Sequence, residues 1–104
     1  MSKLILELLK DYYQGWEEQK RELLKLHPGL IHKSIKGTFL SADEFINDCW
    51  RFSGIPLNNK QFIVEGNIAI VRYEIDMPDG TSKNYCEWVT FENGLIKTID
   101  VFNN

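Results

Sequence analysis

The spacing of apolar residues divides the chain into a helical first half and a second half made of strands. Ile5, Leu9, Tyr12 and Trp16 recur at three- or four-residue steps with charged residues between them. This spacing is typical of a helix that is buried on one side. Leucines return after a polar stretch, so the pattern predicts a long helix, a break and a short second helix within 2–26.

Turn and cap residues set the limits of the next elements. A proline and a glycine follow His27 and do not favour a helix, so His27 is interpreted as a cation in the last helical turn. A strand is predicted over 30–35. The segment Ser41-Ala-Asp-Glu44 matches a capping box, in which a hydroxyl and a carboxylate each bond a free backbone N–H. It predicts a third helix, whose apolar stripe is Phe45, Ile46, Cys49 and Trp50.

The second half alternates apolar and polar residues with a period of two, which indicates strands. Turn residues containing glycine separate four such segments, which are predicted to be strands over 60–65, 68–76, 82–92 and 95–102. Short Asn-Gly and Pro-Asp-Gly turns join antiparallel neighbours. The sequence therefore predicts an antiparallel meander after the helices, and an α+β fold class.

The turn at Asn93-Gly94 predicts which residues of the last two strands face one another. As a two-residue type I′ turn it places Phe91 opposite Ile96 and, farther out, Glu87 opposite Asp100. The turns at 66–67 and 78–80 align the other strands on the same register, with Val64 opposite Ala69 and Tyr73 opposite Tyr85. An inner face that receives the helices then carries Phe62, Val64, Ala69, Val71, Tyr73, Ile75, Tyr85, Val89, Phe91, Ile96 and Phe102, with Glu87 and Asp100 among them.

The opposite, outer face of the predicted sheet mixes charged residues with an apolar patch. Its residues are Ile63, Ile70, Arg72, Glu74, Cys86, Trp88, Thr90, Lys97, Ile99 and Val101. Small monomers rarely expose so large an apolar patch. We therefore expect a homodimer through Ile70, Trp88, Ile99 and Val101.

Composition limits the class of protein and its partners. The 104 residues allow one domain, 1–104, and 43% hydrophobic residues with a net charge of −3 indicate a globular chain. The 12 Lys and Arg against 15 Asp and Glu form no basic stripe, so no nucleic acid is expected. The apolar runs are too short to cross a bilayer, and charges interrupt the N-terminal stretch. We expect a cytoplasmic protein with no membrane partner.

The most informative chemical feature is the pair Glu87 and Asp100. Carboxylates directly opposite on antiparallel strands lie ~4.5–5.5 Å apart at Cβ and repel each other when both are ionised. On an apolar face one of them should keep its proton toward neutral pH, as a general acid does. The alternative is a register that differs by one residue, or a solvated Asp100 near the chain end.

Aromatic residues and one histidine complete the candidate site. Aromatic side chains at helical spacing usually belong to a core, yet a tyrosine hydroxyl near the sheet could bond a ligand. The candidates for substrate binding are Tyr12, Tyr13, Trp16, Trp50 and Tyr85. His32, in the first predicted strand, is a candidate base near pH 7, with a structural histidine as the alternative.

The motifs of several enzyme classes are missing from the sequence. It contains no glycine-rich nucleotide motif, no HExxH, no GxSxG and no cluster of cysteines or histidines. Cys49 and Cys86 fit small core residues better than a disulfide or a thiolate metal site. We expect no cofactor and no metal.

Three segments resemble the nuclear transport factor 2-like superfamily, in particular its SnoaL-like branch. They are LLKDYYQGWEEQKRELLKLH, KGTFLSADEFINDCW and YCEWVTFENGLIKTIDVFN, and with the meander they cover nearly the whole chain. The resemblance implies a cone, in which a strongly curved antiparallel sheet wraps around the helices and leaves an apolar cavity. Ketosteroid isomerases and polyketide cyclases use this cavity as an active site, and other members only bind or dimerise.

The resemblance also implies roles for individual residues. In ketosteroid isomerases a first-helix tyrosine and an acid on the next-to-last strand form an oxyanion hole, and Tyr12 or Tyr13 and Glu87 occupy those places. The aspartate base of the first strand has no match, because His32-Lys33-Ser34 stands there. Asp100 resembles the last-strand acid of the cyclases.

Two hypotheses follow from the residues and the resemblance. In the first, the protein binds a small apolar, carbonyl-bearing molecule and acts as a cofactor-independent acid–base enzyme of the isomerase, cyclase or hydrolase type. Glu87 would then donate a proton, Asp100 or His32 would accept one, and a tyrosine would orient the substrate. In the second, the chain is a non-catalytic dimerisation or ligand-binding module. An enclosed cavity of a few hundred Å³ that reaches Glu87 favours the first, and side chains that fill it favour the second.

Overall fold

The computed structural model describes residues 2–103, in which two α-helices pack against one sheet. The helices are α1 (Ser2–Glu18) and α2 (Ala42–Cys49), and 3₁₀ turns lie at Arg21–Leu23 and Trp50–Phe52. The strands are β1 (Leu26–Ser34), β2 (Gly37–Phe39), β3 (Asn58–Glu65), β4 (Ile68–Asp76), β5 (Ser82–Glu92) and β6 (Leu95–Asn103). Their order is β2-β1-β6-β5-β4-β3, and only the pair β1–β6 is parallel. The predicted α+β class is confirmed.

The first helix ends at Glu18, where the chain turns back toward it. Gln19 adopts a φ of 59°, and the backbone N–H of Lys20 donates to the Gly15 carbonyl at 2.8 Å. Gly15 permits this close return, because a Cβ at that position would lie 2.8 Å from the Lys20 carbonyl oxygen. A single 3₁₀ turn, Arg21–Leu23, therefore stands where the pattern predicts a second helix.

The prediction that His27 ends a helix is wrong. His27 lies in β1, where its Nδ1 accepts a hydrogen bond from the Gly29 N–H at 2.9 Å and its Nε2 lies 2.9 Å from the Glu92 carboxylate. Lys25, with a φ of 49°, turns the chain into this strand. Pro28 falls where β1 and β6 are out of regular register, a place that tolerates a residue without an N–H.

The predicted capping box starts α2. The Ser41 hydroxyl accepts a hydrogen bond from the Glu44 N–H at 3.1 Å, and the Glu44 carboxylate accepts one from the Leu40 N–H at 3.2 Å. The cap fixes where α2 begins and so directs Phe45 into the core. Neither helix described here has the length and apolar character needed to cross a membrane.

The predicted register is right for two strand pairs and wrong for the third. Tyr73 faces Tyr85 across β4 and β5, as the turns predict. Between β5 and β6 the register holds at Phe91 and Ile96 and then shifts by one residue. A bulge of this kind turns every later side chain of the strand to the opposite face.

The shift separates the two carboxylates that the sequence pairs. Glu87 faces Val101, and Asp100 faces Trp88 on the outer side of the sheet. Burial is the physical reason, because the bulge turns Ile99 into the core, where it is fully buried, and turns Asp100 away. Val101 also turns inward, and Phe102 turns outward with 60% of its surface exposed.

The core lies between the helices and the inner face of the sheet. It contains the buried apolar side chains Ile5, Leu8, Leu9, Tyr12, Tyr13, Leu24, Leu30, Ala42, Phe45, Ala69, Val71, Tyr73, Val89, Phe91, Ile96 and Ile99. Leu9 and Ile96 are fully buried in this layer, and two polar side chains, His32 and Glu87, are buried among the apolar ones. The core therefore contains two ionisable side chains among apolar ones.

Candidate functional site

An open pocket of about 470 Å³ lies between α1, α2 and the inner face of the sheet. Its wall is mostly aromatic and aliphatic, with Trp16 and Phe45 on the helical side and Tyr85 and Val101 on the strands. His32 and Glu87 both line it. A concave apolar space with a few convergent polar groups is the usual form of a small-molecule site.

Glu87 is the acidic residue of this pocket, and two tyrosines hold it. Its Oε1 accepts a hydrogen bond from the Tyr13 hydroxyl at 2.5 Å, and its Oε2 accepts one from the Tyr73 hydroxyl at 2.5 Å. Tyr13 comes from α1 and Tyr73 from β4, so helix and sheet meet at one carboxyl group. The three side chains form a buried Tyr–Glu–Tyr triad.

Burial determines the charge state of the triad. It raises the pKa of the Glu87 carboxyl, and the hydrogen bonds from Tyr13 and Tyr73 oppose this rise without cancelling it. Burial, together with the nearby Glu87, also raises the pKa of both tyrosine hydroxyls. The environment therefore favours the protonated form of all three groups.

His32 responds to burial in the opposite direction. Its ring stacks on Phe45 with centroids 4.1 Å apart, and burial lowers its pKa to about 4. Within residues 2–103 its Nδ1 is buried with no hydrogen-bond partner. His32 is therefore a neutral imidazole at pH 7.

Comparison with known proteins identifies the architecture. Neither a protein-family model nor a curated protein sequence matches the chain. An NTF2-like protein of unknown function from Cytophaga hutchinsonii has a similar structure, with a TM-score of 0.81 and 16% identity over 93% of this chain and 87% of that one. This chain has the nuclear transport factor 2-like fold.

Two further solved structures share this nuclear transport factor 2-like fold. A putative polyketide cyclase from Sinorhizobium meliloti has a TM-score of 0.77 and 14% identity, over 91% of this chain and 93% of that one. TerC, crystallised together with polyporic acid, has a TM-score of 0.74 and 19% identity, over 95% of this chain and 90% of that one. The resemblance stated from the sequence is thus confirmed at the level of the fold.

The nuclear transport factor 2-like cone brings most of the predicted site residues together. Pocket-lining positions hold Tyr12, Tyr13, Trp16, His32, Tyr85 and Glu87. Trp50 is not in the wall: it packs on Trp16 with ring centroids 5.0 Å apart and carries the Arg21 guanidinium over its own ring. Asp100 lines a separate recess beside Lys33. The predicted contact between Asp100 and Glu87 is therefore wrong.

Tyr73 is the site residue that sequence reasoning did not single out. It belongs to the predicted inner face, but nothing in its own neighbourhood distinguishes it from the other aromatics there. The signal lay in the register, because Tyr73 faces Tyr85 and is therefore diagonal to Glu87.

The described residues include no group of three His, Cys, Asp or Glu side chains placed to hold a metal ion. Cys49 lines the pocket, but burial raises the pKa of its thiol, which disfavours the reactive thiolate. The buried ionisable groups of the pocket wall therefore include the Tyr–Glu–Tyr triad and His32.

Proposed function

We propose that this protein binds an apolar, carbonyl-bearing small molecule in its pocket and polarises the carbonyl for acid–base chemistry. One observation carries the proposal: burial shifts the pKa values of two groups in the same pocket in opposite directions. Glu87 tends to keep its proton, whereas His32, with a pKa of about 4, gives its proton up. Groups whose pKa values are pushed apart in this way are candidates for the acid and the base of a reaction.

The triad supplies the acid through a tyrosine. When Glu87 is protonated, its O–H donates to the oxygen of Tyr13 or Tyr73. That tyrosine no longer needs its own O–H for Glu87 and can donate it to a ligand carbonyl in the pocket. Because both phenols are hydrogen-bonded to the carboxyl group at 2.5 Å, a small change of proton position is sufficient. Glu87 thus acts as a positioning residue and the tyrosine as the donor.

His32 is the proposed base. Of the two bases considered from the sequence, Asp100 faces away from the pocket, whereas His32 lines it. A base of low pKa can still accept a proton from carbon when the resulting oxyanion is stabilised by preorganised donors. The names of two similar structures, a putative polyketide cyclase and a protein crystallised with polyporic acid, support a small organic ligand.

Prodan, a neutral naphthalene ketone whose fluorescence reports its surroundings, tests the binding step. We expect it to bind the wild-type protein, and we expect the double substitution Tyr13→Phe/Tyr73→Phe to raise its Kd by about fivefold. One lost hydrogen bond to the ketone corresponds to ~0.5–1.5 kcal/mol, or up to roughly tenfold. Fluorescence titration of both proteins measures the difference.

Tyr85→Phe is the matched control, because Tyr85 lines the pocket but does not bond Glu87. It should leave the Kd of prodan within about twofold. Equal affinity for all three proteins would show that the triad does not contact the carbonyl. If prodan fails to bind the wild-type protein, the pocket proposal is wrong and the non-catalytic module is the better description.

We also propose a homodimer through the outer sheet face. The predicted patch changes in composition, because Ile99 and Val101 turn inward, while Trp88 and Ile70 stay on the outer face. We define the outer patch as Ile63, Ile68, Trp88 and Phe102, all exposed large apolar side chains. Burying them against a second copy would remove apolar surface from water.

Light scattering should give about twice the chain mass of 12.2 kDa for the wild-type protein. Trp88→Lys, at the centre of the outer patch, should halve this mass because a charge would then be buried in the interface. Ile35→Lys is the control, since Ile35 is also exposed but lies in the β1–β2 turn. A monomeric wild-type protein at tens of micromolar would contradict the dimer.

A further inference from the structure

Two lysines line the pocket without forming an ion pair within the described residues. Lys36 lies in the β1–β2 turn and Lys83 near the start of β5, and both line the pocket. Both are exposed, and among residues 2–103 neither forms an ion pair. By contrast, the exposed Lys25 pairs with Asp11 and the exposed Lys60 pairs with Glu17. Lys36 and Lys83 are thus available to an outside anion.

Among the described side chains that line the pocket, two are cationic and only one is acidic. Glu87 is the acidic side chain of the described lining, and both of its oxygens are bonded to tyrosines. Asp79, which lies near Lys83, is held by the N–H and the hydroxyl of Thr81. The chain as a whole carries a net charge of −3. Two cations without an ion pair in the described part of the chain therefore line the same apolar opening of an acidic protein, and cations placed in this way attract anions.

The strand geometry sets the distance between the two ends of the pocket. Lys83, Tyr85 and Glu87 alternate along the inner face of β5, so the lysine and the acid are four residues apart. At ~3.4 Å per residue their Cα atoms are separated by roughly 13 Å. Aromatic and aliphatic side chains such as Ile75 and Tyr85 line the space between them.

From this arrangement we propose that the ligand is an amphipathic organic acid: a ring system that places its carbonyl at the Tyr–Glu–Tyr triad and a carboxylate or similar anion at Lys36 and Lys83. The inference rests on the proposed function, since it assumes a ligand carbonyl at the triad, and it adds the charge of the ligand. The two lysines would select acids over their neutral esters, because only the acid has a group that they attract.

A matched pair of competitors tests the charge of the ligand. 6-Acetyl-2-naphthoate carries a ketone and a carboxylate on one ring system, and its methyl ester has the same ring and ketone without the charge. Both are titrated against prodan bound to the wild-type protein and to Lys36→Gln/Lys83→Gln. We expect the double substitution to weaken the acid about fivefold and the ester by less than twofold, since the loss of two exposed ion pairs has an effect of this small size.

The control variant is Lys10→Gln/Lys33→Gln, which removes the same two charges from exposed positions outside the pocket. It should leave both competitors unchanged. As a measurement without substitutions, raising the salt concentration to about 0.5 M should weaken the acid and spare the ester on the wild-type protein, because salt screens exposed charges.

The outcomes separate this inference from the proposed function. If prodan and the ester bind, but the acid shows neither salt dependence nor lysine dependence, the anion site is wrong and the pocket proposal stands. If prodan and the ester do not bind at all, the proposed function is wrong and this inference with it. Equal weakening by the pocket and control variants would reduce the effect to overall charge and would also overturn the anion site.

Discussion

The wild-type protein is expected to lose about 3 kcal/mol in free energy of unfolding as the pH falls from 6.5 toward 4 because of His32, and His32→Phe is expected to remove this loss. The folded-state pKa of His32 is about 4 and its ordinary value is 6.5. Stability from the buried neutral imidazole is therefore fully present above pH 6.5 and is lost as the pH falls toward 4, because the unfolded chain binds a proton that the folded chain rejects. The difference of about 2.5 pKa units corresponds to about 3 kcal/mol.

Denaturant unfolding at intervals from pH 4 to pH 7 measures this difference between the two proteins. Subtracting one curve of unfolding free energy against pH from the other removes the contribution of the surface carboxylates that both proteins share. His32→Gln is the companion variant, because it also lacks a titrating ring but packs differently on Phe45. Both variants should lose the same pH dependence, whatever their stability at pH 7. Parallel curves for wild type and both variants would mean that His32 titrates normally, and the proposed base would lose its support.

The order of elements could be predicted because local rules act on adjacent residues. The change of apolar spacing between the two halves of the chain, the cap at Ser41 and the glycine turns each depend on a few neighbouring residues. The corresponding strands and α2 agree with the prediction to within a few residues. The error at His27 has the opposite cause. Gln19 and Lys25 adopt left-handed conformations that redirect the chain, and the contacts beside them, from Lys20 to Gly15 and from Lys25 to Asp11, are made with α1 and not with adjacent residues.

The arrangement of the candidate site depends on the bulge between β5 and β6, and the sequence did not predict this bulge. The site was therefore predicted only in part. The Asn93-Gly94 turn fixes the first pair of the hairpin, but the extra residue appears at Lys97, where no glycine marks it. A competing signal was present, because Ile99 and Val101 alternate with Asp100 and suit an inner face better than it does. The extra residue is on β6, so it does not change the face on which Glu87 lies in β5. The inner position and the burial of Glu87 were therefore predicted correctly, whereas the residue opposite it was not.

The buried acid therefore arises from a different cause than the one the sequence suggests. Repulsion between Glu87 and Asp100 cannot act across opposite faces of the sheet, and desolvation of Glu87 takes its place. The two tyrosines satisfy both carboxyl oxygens, which makes burial of this group tolerable in either protonation state. The triad is thus a proton-holding group built by the fold, from one helix and two strands.

Glu87→Gln should remove a loss of stability that the wild-type protein shows as the pH rises. A carboxyl group whose folded pKa is raised stabilises the fold below its ordinary value, 4.5, and this advantage disappears as the pH rises through the folded pKa. Each unit of the rise corresponds to ~1.4 kcal/mol. Glutamine keeps the shape of the side chain and can hydrogen-bond both tyrosines without titrating. At pH 8 the variant should therefore equal or exceed the wild type in free energy of unfolding.

Two comparisons give this prediction its direction. Between pH 6.5 and 4.5 Glu87 and His32 act in opposite senses, so the Glu87→Gln variant must lose stability as the pH falls while the His32→Phe variant gains it, relative to the wild type. Tyr13→Phe removes one of the hydrogen bonds that lower the pKa of Glu87 against the effect of burial. The pKa of Glu87 should therefore rise further in this variant, and the loss of stability with rising pH should continue to a higher pH than in the wild type. Unfolding curves of the three variants across pH 4.5 to 8 measure both. If Glu87→Gln and the wild type respond equally to pH, Glu87 is an ordinary ionised carboxylate, and the triad cannot release a tyrosine O–H to a ligand carbonyl in the way proposed.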